Sequence, residues 1–190
     1  MELRATAARA RNRAERAWHP IRRHRAAAVV STLREPSVLF ICKGNICRSP
    51  FAAGVLRRLR TVDDVQGGTV SSAGFIRPGR RPPESARRAA ATRGVRLRRH
   101  RSRLVTPESA GGHDLLVVME PGHARRLRHV SGKVPAPVIL LGDLDPETPP
   151  RRIIADPVAG PLSVFESCYD RIERCVRSLH ELTARAPAHG

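Results

Sequence analysis

Four short apolar runs alternate with longer amphipathic segments over residues 36–186, and this alternation narrows the possible folds more than any other feature. The apolar runs have the length of buried strands and cover residues 38–42, 69–73, 114–119 and 137–141. The segments with helical periodicity cover residues 49–60, 84–93, 122–129 and 161–185. Successive parallel strands need a crossover connection, which is usually a helix. The sequence therefore predicts one α/β domain with a four-stranded parallel sheet and helices on both faces.

The first 35 residues differ in composition from the rest of the chain. The segment RATAARARNRAERAWHPIRRHRAA is rich in Ala and Arg, and Pro20 lies in its middle. We expect Pro20 to interrupt any helix that forms, because proline removes a backbone donor and clashes with the preceding turn. We interpret residues 1–35 as a basic extension, disordered or helical, followed by a domain at 36–186 and a tail at 187–190. A segment of this kind could also lie on an anionic membrane or act as a targeting peptide.

The chain is strongly basic, with a formal net charge of +18, which indicates acidic partners or substrates. A dedicated nucleic-acid site is not expected, because aromatic residues make up only 3% and no known nucleic-acid motif is present. No apolar run approaches the roughly 20 residues that span a bilayer, so no transmembrane segment is expected. The four cysteines form neither the CxxC pairs of a zinc site nor a dense disulfide pattern, which favours a cytoplasmic protein without a metal.

Residues 38–50, VLFICKGNICRSP, place Cys42 at the end of an apolar run and Arg48 six positions later. The same spacing joins Cys168 to Arg174, but the segment FESCYDRIERCV has helical periodicity and no glycine. A helix interior has no free amide donors for a phosphate, so the second match is interpreted as part of a helix. The spacing alone therefore carries little information in a chain so rich in arginine.

The first match lies at a strand-to-helix turn, where ligands bind in parallel α/β folds. Loop amides and the N–H groups of the helix N-terminus converge there and favour both a bound phosphate and a thiolate at Cys42. The sequence predicts a phosphate-binding loop after the first strand, with Cys42 as nucleophile. The predicted substrate-binding residues are Lys43, Gly44, Asn45, Ile46, Cys47 and Ser49. The alternative is a plain turn with a buried cysteine.

A thiolate that attacks phosphorus also needs an acid to protonate the departing oxygen. The loop at 142–161 starts at the same edge of the predicted sheet and contains two Asp-Pro pairs, at Asp145 and Asp156. We favour Asp156, because the apolar residues of RRIIADPVAGPL could partly bury it and favour its protonated form. We expect Asp145, between Asp143 and Glu147, to be more solvated.

With these residues in place, the chain resembles the low-molecular-weight protein tyrosine phosphatases. Their signature CxGNxCRSP is matched at residues 42–50, and the resemblance extends over roughly residues 36–185. Further segments follow in family order: SSAG at 71–74, HRSRLVTPE at 100–108, DLLVVM at 114–119 and ADPVAG at 155–160. The resemblance implies the α/β fold described above and a protein-tyrosine phosphatase that works without a metal or cofactor.

The resemblance also implies a role for each matched residue. Cys42 would form a phosphocysteine intermediate, and Arg48 would bind two equatorial phosphoryl oxygens with its planar guanidinium group. Asp156 would protonate the leaving group and then deprotonate the attacking water. Asn45 would stabilise the loop backbone, Ser49 would donate to the Cys42 thiolate, and Ser72 would support Asn45. Cys47 could form a reversible disulfide with Cys42, as in the family, or could be a small buried residue.

The sequence departs from the family at Val158, where members acting on phosphotyrosine usually carry an aromatic residue. Phe75 or Ile76 could supply an apolar wall instead, or could belong to the core. The expected substrate is a phosphotyrosine protein, such as a tyrosine kinase, or a small aryl or alkyl phosphate.

Three other functions stay open on the sequence. One is a non-catalytic anion-binding module. Another is an arsenate reductase of the same fold, which would need further cysteines where none occurs between Cys47 and Cys168. A protein arginine phosphatase is disfavoured, because such enzymes tend to have a small polar residue where Ile46 stands.

Overall fold

The computed structural model describes residues 2–132 and 134–184, so the predicted tail at 187–190 lies outside the described residues. Its four parallel strands are β1 (Val38–Cys42), β2 (Val70–Gly74), β3 (Leu115–Val118) and β4 (Val138–Leu140). They form one sheet in the order β2-β1-β3-β4. The predicted single α/β domain with a four-stranded parallel sheet is confirmed.

Six α-helices are described: α1 (Glu2–Val30), α2 (Arg48–Val62), α3 (Glu84–Ala91), α4 (Pro107–Gly111), α5 (Pro121–Ser131) and α6 (Leu162–Ala184). A 3-10 turn follows β4 at Leu141–Leu144. The sequence prediction missed α4 and this turn, because segments of four or five residues are too short to show a helical period. The start of α4 is nevertheless encoded locally, since Thr106 and Ser109 cap each other reciprocally.

The sheet is covered by helices on both faces, as the alternation of buried residues along β1 requires. Val38, Phe40 and Cys42 belong to a large apolar cluster that includes residues of α1, α2, α3 and α6. Leu39 and Ile41 belong to a second, smaller cluster on the other face, which includes residues of α4 and α5. Cys42 is therefore the last residue of a buried strand and faces the layer that contains α2 and α6.

The N-terminal helix α1 is continuous through Pro20, so the prediction that this proline interrupts the helix is wrong. The reason is tertiary packing, which stabilises helices beyond their intrinsic propensity. His19, Ala26 and Val30 are buried along one face of α1, and Ala26 and Val30 belong to the core cluster. The Nε2 atom of His19 also lies 2.8 Å from the carbonyl oxygen of Asp145. The domain boundary at residue 35 stays a prediction.

No helix within residues 2–132 and 134–184 combines the length and the apolar composition needed to cross a bilayer.

Candidate active site

The loop between β1 and α2 turns tightly around the side chain of Cys42. Asn45, in its middle, has a φ of 50°, a left-handed conformation that Asn tolerates better than most residues. This conformation directs the Asn45 backbone N–H to Cys42 Sγ at 3.2 Å. The Ser49 Oγ atom, in the first turn of α2, lies 3.0 Å from the same sulfur. The sulfur therefore has one backbone and one hydroxyl neighbour at the N-terminus of a helix.

The fully buried side chain of Asn45 ties the loop to its surroundings. Its Nδ2 group donates to Ser49 Oγ and to Ser72 Oγ, both at 2.9 Å. Its Oδ1 atom accepts from the backbone N–H of Arg103 at 2.8 Å. The Asn45 carbonyl oxygen lies 2.8 Å from Nε2 of His100. The strained turn is thus supported by β2 and by the segment before α4.

The loop also depends on Gly74, the last residue of β2, which pairs with Cys42 across the sheet. A Cβ atom at position 74 would lie 2.8 Å from the Asn45 backbone nitrogen and 3.0 Å from the Cys42 carbonyl oxygen. Backbone atoms cannot move aside as a flexible side chain can. Gly74 therefore allows β2 to approach the loop closely.

The guanidinium group of Arg48 is 1% exposed and lies under the loop. Its Nη1 atom donates to Glu120 Oε1 at 2.5 Å and to the Ile154 carbonyl oxygen at 2.8 Å. Its Nη2 atom forms an ion pair with Asp156 Oδ2 at 2.8 Å. Its Nε atom has no hydrogen-bond partner in the described part of the chain. A buried donor of this kind is suited to a ligand oxygen, because leaving it unpaired is unfavourable.

The charge on Arg48 is strongly stabilised despite its burial. Burial alone lowers the pKa of the guanidinium group, but Cys42, Glu120 and Asp156 raise it by more, so the net shift is upward. Arg48 is therefore a fixed cation beside the sulfur of Cys42.

Asp156 and Cys42 line the same cavity of ≈ 190 Å³ at the mouth of the loop. Its other lining residues are Lys43, Gly44, Ile46, Cys47, Ile76, Arg80 and Val158. Four of the predicted substrate-binding residues therefore border one cavity. The other two do not line it: Asn45 and Ser49 contact the sulfur of Cys42 instead.

The relative burial of the two candidate acids is the reverse of what we expected. Asp145 is fully buried and pairs with Arg171 and Arg174 of α6, whereas the Asp156 side chain is 30% exposed. The expectation failed because distant arginines cover Asp145, while Ile154 fills the core in place of Asp156. Of the two, only Asp156 lines the cavity.

Cys42 and Cys47 are both buried free thiols. Burial, followed by the proximity of Cys42, raises the pKa of the Cys47 thiol, so Cys47 stays protonated at neutral pH. Its carbonyl oxygen accepts a hydrogen bond from the buried hydroxyl of Tyr169 at 3.3 Å. A disulfide between Cys42 and Cys47 stays a prediction.

Three residues of the site were not found in the sequence: Arg80, Glu120 and His100. Glu120 lies two residues after the end of β3, and its position near the carboxyl end of a buried strand was a usable signal. His100 lies in a basic segment whose pattern does not distinguish it from its neighbours. Burial lowers the pKa of His100, which favours its neutral form beside the Asn45 carbonyl.

The apolar wall of the cavity is aliphatic. Ile76 and the half-exposed Val158 both line the opening. Phe75 is buried in the smaller core cluster, with the guanidinium carbon of Arg126 5.1 Å from its ring centroid. Of the two residues considered for the wall, Ile76 lies at the cavity and Phe75 packs in the core.

Comparison with known proteins agrees with this geometry. The sequence profile described as "Low molecular weight phosphotyrosine protein phosphatase" matches residues 37–187. The chain belongs to the low molecular weight phosphotyrosine protein phosphatase family. Membership in this family confirms the resemblance found in the sequence and the class of cysteine-dependent phosphatase.

Individual members of the low molecular weight phosphotyrosine protein phosphatase family match across the domain. The pig enzyme of that name is 34% identical over 151 residues, which are 76% of this chain and 94% of the relative. The low molecular weight protein-tyrosine-phosphatase Etp of Escherichia coli K12 is 32% identical, over 76% of this chain and 93% of the relative. The crystal structure of the tyrosine phosphatase Wzb from Escherichia coli K30 with sulphate superposes with a TM-score of 0.67. The Wzb sequence is 32% identical to this one, and the superposition covers 76% of this chain and 96% of the Wzb chain.

Proposed function

We propose that this chain hydrolyses phosphotyrosine in proteins through a phosphocysteine intermediate on Cys42. One observation carries the proposal. The sulfur of Cys42 and the carboxylate of Asp156 face one cavity, and the buried Arg48 contacts Asp156 while its Nε atom has no protein partner. A nucleophile, an acid and a fixed cation within one small cavity are the groups that metal-free phosphoryl transfer requires.

In the first step, the Cys42 thiolate attacks phosphorus, an S–P bond forms and the bond to the tyrosine oxygen breaks. The Nε and Nη2 atoms of Arg48 would bind two equatorial oxygens, because Nη1 is already held by Glu120 and Ile154. Loop amides from Gly44 to Arg48 would donate to the phosphoryl oxygens. Asp156 would give its proton to the departing phenolic oxygen.

In the second step, Asp156 takes a proton from a water molecule that attacks the phosphocysteine. The S–P bond breaks, inorganic phosphate leaves and the Cys42 thiolate is restored. Ser49 Oγ, 3.0 Å from the sulfur, supports the thiolate as a leaving group by hydrogen bonding. Asn45 and Ser72 keep the loop in its turn through their 2.9 Å hydrogen bond, so they act by positioning.

The aliphatic wall of the cavity supports an aryl phosphate as substrate. Ile76 and Val158 border the opening, where the ring of a phosphotyrosine would lie between them. Such a ring gains from apolar contact even without a stacking partner. The physiological substrate that we propose is a phosphotyrosine protein, and an autophosphorylating tyrosine kinase is one such protein. We place the enzyme in a reducing compartment, the cytoplasm, because the mechanism requires Cys42 as a free thiol.

Arsenate reduction has less support from the positions of the cysteines. A reductase of this fold passes a disulfide to further cysteines, and only Cys168 and Cys175 are available in this chain. Both lie in α6, where burial raises their thiol pKa, that of Cys168 to about 12. Protonated thiols are poor partners in disulfide exchange.

The test is hydrolysis of p-nitrophenyl phosphate and of a phosphotyrosine peptide by the full chain. We expect activity in the wild type, none detectable in Cys42→Ser, and a loss of about 10²- to 10⁴-fold in kcat for Asp156→Ala. The Asp156→Ala loss should be larger with phenyl phosphate, because phenoxide needs protonation more than p-nitrophenoxide does. If Cys42→Ser hydrolysed these substrates at the wild-type rate, the proposal would be rejected.

A further inference from the structure

A groove lined by arginines lies beside the candidate active site and has no part in the chemistry proposed above. Two adjoining cavities of ≈ 820 and ≈ 610 Å³ share the side chains of Arg87, Arg98 and Arg99. We call the surface around them the arginine groove. Its arginines are Arg81, Arg87, Arg88, Arg96, Arg98, Arg99 and Arg101.

The arginine groove carries a net positive charge that the protein does not neutralise locally. Residues 77–106 contain eleven arginines and a single acidic residue, Glu84. Glu84 lines the larger cavity, and Arg93 of this segment is paired with Asp170 of α6. Within residues 2–132 and 134–184, no ion pair joins a carboxylate to any of the seven arginines of the groove. The Nε atom of Arg87 is buried there without a hydrogen-bond partner.

The arginine groove and the catalytic loop are connected by residues that are neighbours in the chain. Arg80 lines the active-site cavity and donates to the Gly44 carbonyl oxygen at 2.8 Å, and the next residue, Arg81, lines the groove. At the other side, Arg99 and Arg101 of the groove flank His100, whose Nε2 atom lies 2.8 Å from the Asn45 carbonyl. A ligand that extends from the active-site cavity along this surface would meet the arginines next.

The floor of the groove is apolar, which bears on the kind of ligand that fits. Ala91, Val95 and Leu97 line the larger cavity, and Val95 and Leu97 are almost fully buried. A polypeptide with acidic and apolar side chains can match both the arginines and this floor. Arginine is well suited to such partners, because its planar donors pair with carboxylate or phosphate oxygens in a bidentate manner.

Two other polyanions fit the groove less well. Nucleic acid bound without sequence preference stacks its bases on aromatic side chains, and the described aromatic residues outside α1 are all buried. A membrane surface would call for exposed large apolar side chains, and none lies among residues 81–101. The arginine groove therefore favours a protein partner.

We propose that the arginine groove binds an acidic segment of the phosphoprotein substrate, next to the phosphotyrosine in the active-site cavity. The partner is a polypeptide with several carboxylates or further phosphorylated residues on one side of the target tyrosine. This inference rests on the proposed phosphatase function and adds the substrate class. Electrostatic complementarity of this kind speeds association and selects partners more than it changes the chemical step.

The experiment compares two phosphotyrosine peptides that differ only in their flanks, one rich in Glu and Asp and one with Gln and Asn at the same positions. The measured quantity is the ratio of kcat/KM for the acidic peptide to that for the neutral peptide. We expect a ratio above about ten for the wild type, falling about tenfold in the combined variant Arg88→Gln, Arg96→Gln and Arg98→Gln. High salt should reduce the wild-type ratio, because it screens exposed charges.

A matched control removes the same charge elsewhere. Arg9, Arg13 and Arg16 are exposed on α1, and their combined change to Gln lowers the net charge of the chain by the same amount. The control should keep the wild-type ratio. If the kcat/KM ratio fell equally in both triple variants, the preference would be an effect of net charge alone and the inference would be overturned. A wild-type ratio near one would overturn it as well.

The neutral peptide keeps the two proposals separable. If the wild type hydrolyses neither peptide, the proposed function fails, whereas hydrolysis of both peptides without preference for acidic flanks rejects only the arginine groove. A single-stranded oligonucleotide and anionic vesicles provide the competing partners. The inference would be overturned if the oligonucleotide or the vesicles bound more tightly than the unphosphorylated acidic peptide and lost this binding in the Arg88, Arg96 and Arg98 variant. The groove would then be assigned to that partner.

Discussion

Glu120 holds the buried guanidinium group of Arg48, with Oε1 2.5 Å from Nη1. The contact joins the residue just before α5 to the first residue of α2, and the Ile154 carbonyl accepts a second bond from Nη1. Arg48 is thereby oriented by two groups that lie outside the catalytic loop. In the proposed mechanism the phosphoryl group is bound by Nε and by Nη2, which is paired with Asp156 in this structure.

Changing Glu120 to Gln should therefore lower catalysis without unfolding the protein. The amide keeps the shape of the side chain but removes the charge that holds Arg48. We expect kcat/KM for p-nitrophenyl phosphate to fall about ten- to a hundredfold, as expected for a misplaced binding group. Glu120→Asp keeps the charge at a shorter reach and should be intermediate. Equal kcat/KM values in the wild type and Glu120→Gln would show that the Ile154 carbonyl alone is enough to orient Arg48.

The two Asp-Pro pairs should separate stability from catalysis. Asp145 is fully buried between Arg171 and Arg174, so Asp145→Asn removes the carboxylate paired with Arg171 and leaves Arg174 with Glu147 alone. We expect a loss of about 3 kcal/mol in the free energy of unfolding, measured by urea denaturation at neutral pH. Asp156→Asn should cost less stability than Asp145→Asn, because its carboxylate is 30% exposed and its partner Arg48 keeps Glu120, while it should lower kcat. A larger loss of kcat in folded Asp145→Asn would contradict our assignment of the acid.

The packing of α1 makes a further prediction, with a matched control on the same helix. His19→Ala removes the group that contacts the Asp145 carbonyl in a buried position. The carbonyl then lacks a donor, and we expect a loss of about 1 to 3 kcal/mol in unfolding free energy. The exposed His24 offers the control, since His24→Ala should change stability by less than about 0.5 kcal/mol. If both variants behaved alike, α1 would not be bound to the core through His19.

The histidine next to the loop should make stability depend on pH. Burial lowers the pKa of His100 below its ordinary value of 6.5, and the nearby Arg103 and Arg57 lower it further. The unfolded chain then binds a proton more readily than the folded one, so the contribution of His100 is complete above pH 6.5 and is lost as the pH falls below it. In His100→Gln, the unfolding free energy should fall less between pH 6.5 and about pH 5 than it does in the wild type. The check is the unfolding free energy from pH 5 to pH 8; an unchanged profile would exclude His100 as its source.

The catalytic loop was predictable from sequence because its determinants are local. A buried strand, a turn with Gly44 and Asn45, and a helix start follow one another within thirteen residues. The structure also explains the second match to the same spacing, since Cys168 and Arg174 both lie inside α6. Arg174 there pairs with Asp145.

The pairing of charges could not be predicted, because it depends on contacts between distant residues. With so many arginines, the sequence does not indicate which of them reaches which carboxylate. Asp145 was expected to be solvated, and it is buried because α6 supplies two arginines from 26 and 29 residues away. The continuity of α1 through Pro20 has the same origin, since its buried face binds elements that come more than a hundred residues later.

The close approach of Gly74 to Asn45 bears on how this enzyme could be changed by directed evolution. Because a Cβ atom at Gly74 would meet the backbone of the loop, no side chain can be introduced there without moving the catalytic turn. Ile76 and Val158 at the opening of the cavity, and the arginines beyond it, are better positions for variation that alters substrate choice. A library built on those positions would vary selectivity while the machinery beneath keeps its shape.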